Sequence, residues 1–157
     1  MNVFTHYQSP MGTMTIQACD DGVLGAWFET QTTQPDDIGL KDDHHPVLVS
    51  AMKQLGEYFS GERTHFELPI AAKGTLFQQR VWDALMKIPY GETWSYQDIA
   101  NEIDNPKAMR AVGLANGKNP ISIIVPCHRV IGKNGKLTGY AGGIEIKEKL
   151  LQLEGVL

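Results

Sequence analysis

The 157-residue chain contains only two cysteines, Cys19 and Cys127, and no long apolar run. A bilayer-spanning helix needs about 18 or more consecutive apolar residues, so no membrane association is expected. The opening Met1-Asn2-Val3-Phe4-Thr5-His6 lacks the basic, apolar, small-residue order of a signal peptide. A cytoplasmic location is therefore expected, and in a reducing cytosol two cysteines read as free thiols. A lone Cys-His neighbour pair lacks the three or four ligands that zinc requires, so neither a metal nor another cofactor is expected. Repeats and low-complexity tracts are also missing. What remains, at 42% hydrophobic, suffices for one ordinary domain or two small ones.

The formal charge of −4 hides an asymmetry. Residues 1–72 carry three basic side chains (Lys41, Lys53, Arg63) against ten acidic ones, whereas residues 73–157 carry eleven against eight. Between Lys107 and Lys149 there are eight basic residues and two acids, Glu145 and Glu148. A basic second half is a candidate for phosphate contacts, and a solvated basic surface without a partner is the alternative.

The first half reads as β. Residues 2–8, 12–18 and 23–29 are rich in β-branched and aromatic side chains and are separated by Ser9-Pro10-Met11-Gly12 and Asp20-Asp21-Gly22, which predicts a three-stranded meander. Residues 30–43 read as a polar loop. Pro46 opens a helix with Leu48, Ala51, Met52, Leu55, Tyr58 and Phe59 on one side, closing near Gly61. No catalytic constellation is visible here, so residues 1–72 are expected to form an N-terminal scaffold domain and residues 73–157 a second, functional one.

The second half reads as mostly helical. Thr75 and Gln78 form a capping-box signature before Phe77, Val81, Trp82, Leu85 and Ile88. Ser95 caps a short helix carrying Ile99, Ala100 and Ile103, and Asn105-Pro106 starts another that ends at Gly117. Two short helices joined by a tight turn suggest a helix-turn-helix. Residues 121–125 predict a buried strand, residues 132–136 a hairpin tip, and residues 144–153 a closing helix. The expected fold class is α+β: a small β-sheet-plus-helix domain followed by a mostly helical, winged helix-turn-helix-like domain.

Cys127 is followed by His128 and Arg129. Thiolate is the nucleophilic form of cysteine, and neighbouring cations or an imidazole favour it. Taken alone, an inert buried cysteine beside a surface histidine explains the tripeptide more readily than a reactive thiol. Ala108, Ala111 and Ala115 fall at i, i+3 and i+7, giving one nearly bare helix face beside Arg110. Such a face lets a backbone approach closely; taken alone, alanine as a good helix former packed against a neighbour explains it more readily.

In combination these features resemble the O6-alkylguanine-DNA alkyltransferases, also called methylated-DNA–protein-cysteine methyltransferases. The resemblance rests on Ser95-Tyr96, Asn105-Pro106-Lys107-Ala108-Met109-Arg110-Ala111-Val112-Gly113, Asn119-Pro120, Ile124-Val125-Pro126-Cys127-His128-Arg129-Val130, Tyr140-Ala141-Gly142-Gly143, Lys147-Glu148 and Glu154-Gly155, in family order. Tyr58-Phe59-Ser60-Gly61 and Phe66-Glu67-Leu68-Pro69 agree more loosely.

The resemblance implies that Cys127 accepts an alkyl group from guanine O6 (and from thymine O4) in duplex DNA and is consumed. It implies His128 as base, Glu154 as its orienting acid and Tyr96 as proton donor to the leaving guanine. Arg110 is implied as a finger replacing the extruded base, with Lys107, Ala108, Ala111, Ala115 and Arg129 among the DNA contacts. Asn119, Pro126 and Val130 would hold the site, and Tyr140, Ala141, Gly142 and Gly143 would wall the base pocket. Ala141 stands where some members carry serine, removing one possible hydrogen bond to the lesion. A monomer is expected in the absence of DNA. Of other readings, a lesion-binding relative without transfer activity is opposed by Cys127 itself, a regulator lacks room for a sensing domain, and a cysteine hydrolase lacks a recognisable oxyanion hole.

Overall fold

Three short runs of β-branched and aromatic side chains set the first sheet, and the computed structural model describes residues 1–31 and 33–157. β1 (Val3–Ser9), β2 (Gly12–Cys19) and β3 (Gly22–Phe28) are successive antiparallel neighbours, as the meander predicts. The expected loop contributes one more element, β4 (Leu40–Lys41), which pairs in parallel with β1 to give the order β3-β2-β1-β4. Two residues of strand are too short to leave a periodic signal, which is why the sequence reads there as loop.

All of β3 is buried. Its outer edge is taken up by other parts of the chain. Val23 N–H donates to Pro69 O at 2.9 Å, Ala71 N–H donates back to Val23 O at 2.8 Å, Ala26 N–H donates to Pro120 O at 2.8 Å and Ser122 N–H donates to Ala26 O at 3.0 Å. An open edge would be a template for association, and these bonds close it while fixing the segment that leads to Cys127. α1 (Pro46–Phe59) lies against the sheet, burying Leu48, Ala51, Leu55 and Tyr58; the His45 side chain accepts from Val47 N–H at its start.

The second half is α2 (Leu76–Leu85), β5 (Trp94–Ser95), α3 (Tyr96–Glu102), α4 (Met109–Gly117), β6 (Val130–Ile131) and α5 (Ile144–Leu153). Both capping motifs close reciprocally: Thr75 with Gln78, and Ser95 with Asp98. Trp82 Nε1 donates to Ala115 O at 2.9 Å and pins α4 onto α2. The α3–α4 pair is the helix-turn-helix, and one hydrophobic core runs through both halves. The architecture is α+β. Among the described residues no helix is long and apolar enough to cross a membrane.

Two local expectations are corrected. Residues 132–136 form a turn, closed by Gly132 N–H to Lys136 O at 2.9 Å, but β6 before it pairs in parallel with β5, so there is no hairpin. Residues 121–125 are not a strand. Ile124 N–H donates to Ser122 O at 2.8 Å across Ile123 at φ 71, a positive-φ γ-turn, and Cys127 N–H donates to Val125 O at 2.8 Å across Pro126 at φ −82 and ψ 62, the inverse kind. Apolar β-branched composition reports burial, which is correct here, but not extension.

Replacing Thr75 by Ala removes the acceptor for Gln78 N–H at the start of α2. It should cost about 1 kcal/mol, read as a lower urea midpoint at unchanged denaturant slope.

Candidate active site

Asn119 shapes the segment around the thiol. Its amide Nδ2 donates to Val125 O at 2.9 Å and Ile121 O at 3.2 Å, while Oδ1 accepts from Ile121 N–H at 3.0 Å. Held at both ends, the chain folds through the two γ-turns and delivers Cys127 at the first position of a 3₁₀ turn, Cys127–Arg129. A β-branched residue at positive φ is strained by roughly 1–2 kcal/mol, so Ile123 sits there only because its surroundings impose it. Cys127 is 5% exposed. Burial pushes its thiol up, and the Asn119 amide and the Lys147 charge work against that.

His128 and Glu154 are both buried, with His128 Nε2 2.6 Å from Glu154 Oε2. Burial holds His128 below its ordinary 6.5 despite the opposing pull of Glu154. Burial pushes Glu154 up, but the hydrogen bonds and charges of His128 and Arg129 outweigh it and hold the carboxyl at about 2. A neutral imidazole beside an ionised carboxylate carries its proton on Nε2 as donor. Nδ1 is then the lone-pair nitrogen, and it is buried without a partner. Glu154 also accepts from Tyr58 Oη at 2.6 Å and from Arg129 Nε at 2.7 Å and Nη2 at 3.2 Å. A deeply buried thiol, a neutral base with a free nitrogen and an ionised acid behind it are the parts of a nucleophilic displacement.

The Tyr140–Gly143 turn is closed by Gly143 N–H donating to Tyr140 O at 2.8 Å. Tyr140 Oη is enclosed without a hydrogen-bond partner, and Ala141 is half-buried. A Cβ on Gly142 would lie 2.9 Å from the Tyr140 ring and 3.0 Å from Phe28, so glycine is needed there. Gly143 has φ 105. Thr30 Oγ1 donates to Gly142 O at 2.7 Å, tying this turn to the N-terminal half. Tyr96 is half-buried, with Oη 2.5 Å from Thr138 Oγ1. Val130 is fully buried, and its carbonyl accepts from Lys147 Nζ at 2.5 Å.

The 6-O-methylguanine DNA methyltransferase ribonuclease-like domain matches residues 2–72, and the DNA binding domain of the same family matches residues 76–156. The chain belongs to this family. A methylated-DNA–protein-cysteine methyltransferase of Methanosarcina acetivorans is 49% identical over 95% of this chain and 96% of its own length. The constitutive enzyme of Bacillus subtilis is 47% identical over 99% of this chain and 97% of its own. Mycobacterium tuberculosis OGT, solved in complex with DNA, superposes with a TM-score of 0.91 at 49% identity, covering 98% of this chain and 93% of that one.

Two residues assigned to DNA contact stand elsewhere in this alkyltransferase. Arg129 is buried; besides Glu154 it donates to Ile88 O at 2.8 Å and lies 5.7 Å from the Tyr90 ring centroid. Its charge is matched inside by the Glu154 carboxylate. Ala115 is 3% exposed and faces the core. The bare alanine face is therefore split: Ala108 is half-buried at the helix cap, and Ala111 is exposed beside Arg110 and Leu114. Helix phase decides this, because Val112, Ala115 and Asn116 form the inward side. Lys107 is exposed, just before the helix.

Two residues of the site escaped sequence reasoning. Tyr58 sits among core positions of α1, and nothing local marks its hydroxyl. Lys147 is fully buried, with Nζ also donating to Thr138 O at 3.2 Å, and burial brings its pKa down to about 8. Here a signal existed. Lys147, Leu150, Leu151 and Glu154 follow i, i+3, i+4, i+7, so two charges ride on the apolar stripe of α5. Among the described residues no cluster of three or more His, Cys, Asp or Glu could hold a metal.

With Glu154 at about 2 against an ordinary 4.5, its contribution to stability is complete above pH 4.5 and is lost as pH falls through about 2. It amounts to about 3 kcal/mol on the scale of 1.36 kcal/mol per pKa unit. His128, kept neutral, loses stability in the same direction below 6.5, because the unfolded chain takes up the proton first. Urea midpoints from pH 7 to about 2.5 should fall throughout, and Glu154→Gln should start lower and flatten the acid part of that curve.

Proposed function

We propose that Cys127 is a one-use acceptor that repairs O6-alkylguanine in DNA by direct transfer. The observation that carries this reading is the buried thiol of Cys127 with the His128–Glu154 pair beside it, in a chain of the alkyltransferase family. His128, through a bridging water, takes the proton from Cys127, and Glu154 fixes the imidazole with its lone pair on Nδ1. The Lys147 ammonium favours the thiolate over the thiol. Sulfur attacks the alkyl carbon in line, the carbon–oxygen bond breaks, and its electron pair leaves on guanine O6. Tyr96 donates a proton to the base as negative charge develops and recovers one from the proton that Cys127 gave up. Thiol and alkylguanine thus become thioether and guanine. A thioether is not hydrolysed by any neighbouring group, so each chain acts once.

A thiol at 5% exposure cannot reach a base inside a duplex, so the lesion is flipped out at a cost of a few kcal/mol. The exposed strip of Arg110, Ala111 and Leu114 on α4, with Lys107 before it, is the surface suited to enter the groove. Arg110 is the side chain placed to fill the space left by the base. Tyr140, Ala141, Gly142 and Gly143 form one wall of the base pocket, and Asn119, Pro126 and Val130 hold the acceptor segment. The same transfer extends to O4-alkylthymine. Residues 1–72 and 73–157 divide the work as scaffold domain and acceptor domain over a shared core, and the protein meets DNA as a monomer in the cytoplasm.

Incubation with a duplex carrying O6-methylguanine should add one methylene to the peptide containing Cys127, saturating at one per chain. Continued turnover, or an unmodified Cys127 after repair, would reject the reading. Arg110→Ala should slow repair of duplex DNA by about tenfold or more while leaving reaction with free O6-benzylguanine near the unaltered rate, on the scale of one lost contact. Equal losses on both substrates would remove Arg110 from the flipping step.

A further inference from the structure

The N-terminal half reaches the Glu154 carboxylate through the Tyr58 hydroxyl. Tyr58 on α1 is fully buried, and its ring packs among Phe59, Phe66 and Tyr90 at centroid distances of 5.3, 5.6 and 6.3 Å. A phenylalanine would make the same ring contacts. The hydroxyl adds one thing: it donates to Glu154 Oε2 at 2.6 Å, the oxygen that also takes the proton of His128 Nε2 at 2.6 Å. Arg129 holds the other oxygen, Oε1, by Nε at 2.7 Å and reaches Oε2 by the longer bond of Nη2 at 3.2 Å. Two strong donors on one carboxylate oxygen share its negative charge, so each weakens the pull felt by the other.

We propose that Tyr58 is a positioning residue of the alkyl-transfer reaction, acting on His128 through the Glu154 carboxylate. The inference rests on the reading of Cys127 as the alkyl acceptor. With the Tyr58 hydroxyl in place, Oε2 holds the imidazole by Nε2–H without drawing a second proton onto it, and Nδ1 stays free to accept from Cys127. Without the hydroxyl, Oε2 turns more of its charge on the imidazole, Arg129 Nη2 being its one other donor among the described residues, and the imidazolium is stabilised. His128 is then already protonated at a pH where it must be empty.

The other groups facing this pair do not titrate in the same window. Tyr58, Tyr90 and Tyr140 are all pushed above the ordinary tyrosine value, chiefly by burial, and stay neutral. Glu154 titrates at about 2 and Lys147 at about 8, on either side of the histidine range. Arg129 is a constant positive charge. Changes between pH 5 and 7 at this centre therefore report His128.

The test uses full-length protein with Tyr58→Phe. The rate of Cys127 alkylation by O6-methylguanine duplex is followed across pH 5 to 8, and the His128 imidazole is titrated by nitrogen-15 NMR. The acid limb of the rate and the His128 midpoint should rise together by about one unit, a roughly tenfold loss of rate on the acid side and a smaller one on the plateau. Unchanged midpoints in a folded variant would overturn the proposal. Phe59→Leu, in the same aromatic cluster, should lower stability and leave both midpoints in place; an equal shift there would reduce Tyr58 to a packing role. Should Tyr58→Phe fail to fold, a ring-fluorinated tyrosine at position 58, a stronger donor, should move both midpoints down, and no movement would again count against the proposal. If the unaltered protein fails to alkylate Cys127, the functional reading falls, while the NMR titration still decides whether Tyr58 sets the state of His128.

Discussion

Glu154 is a full negative charge with almost no water around it, and a buried carboxylate is tolerated only when every lone pair is used. Four donors meet that need: Tyr58 from α1, His128 and two guanidinium nitrogens of Arg129 from the turn that begins with Cys127. The acid itself caps the end of α5. One charge thus fastens the first helix, the reactive turn and the last helix to a single point. Removing any donor leaves the carboxylate short, so stability and reactivity share the same residues.

β3 supplies the second constraint. As the sheet edge it receives both residues 69–71 and residues 120–122, so the stretch carrying Asn119 toward Cys127 is bonded to the N-terminal sheet. Asn119 and the two γ-turns then convert that stretch into the 3₁₀ turn. Strain at Ile123 sits four residues before the nucleophile, where a regular strand would have aimed the sulfur differently. The thiol is kept dry by this packing, which raises its pKa; Lys147 and the Asn119 amide offset part of that burial locally.

Local chemistry was legible in the sequence where its causes are local. The capping boxes of Thr75 and Ser95, the meander and the closing helix need only nearest neighbours, and they stand where the pattern puts them. Residues 121–125 were misread because their backbone is set by the Asn119 amide and not by their own β-branched side chains. The burial of Arg129 was not legible because its partner Glu154 lies 25 residues away. Tyr58 and Glu154 are 96 residues apart, and no periodicity carries that pairing. Lys147 was the missed opportunity, being a charge in phase with leucines.

The bond from Thr30 to the carbonyl of Gly142 spans 112 residues and joins the end of the first sheet to the Tyr140–Gly143 turn. Phe28 presses on the same glycine. That turn is thus backed by two side chains from the other half of the chain. A substitution at position 28 or 30 therefore shifts a turn more than a hundred residues away, so the shape of the second half is partly in the keeping of the first.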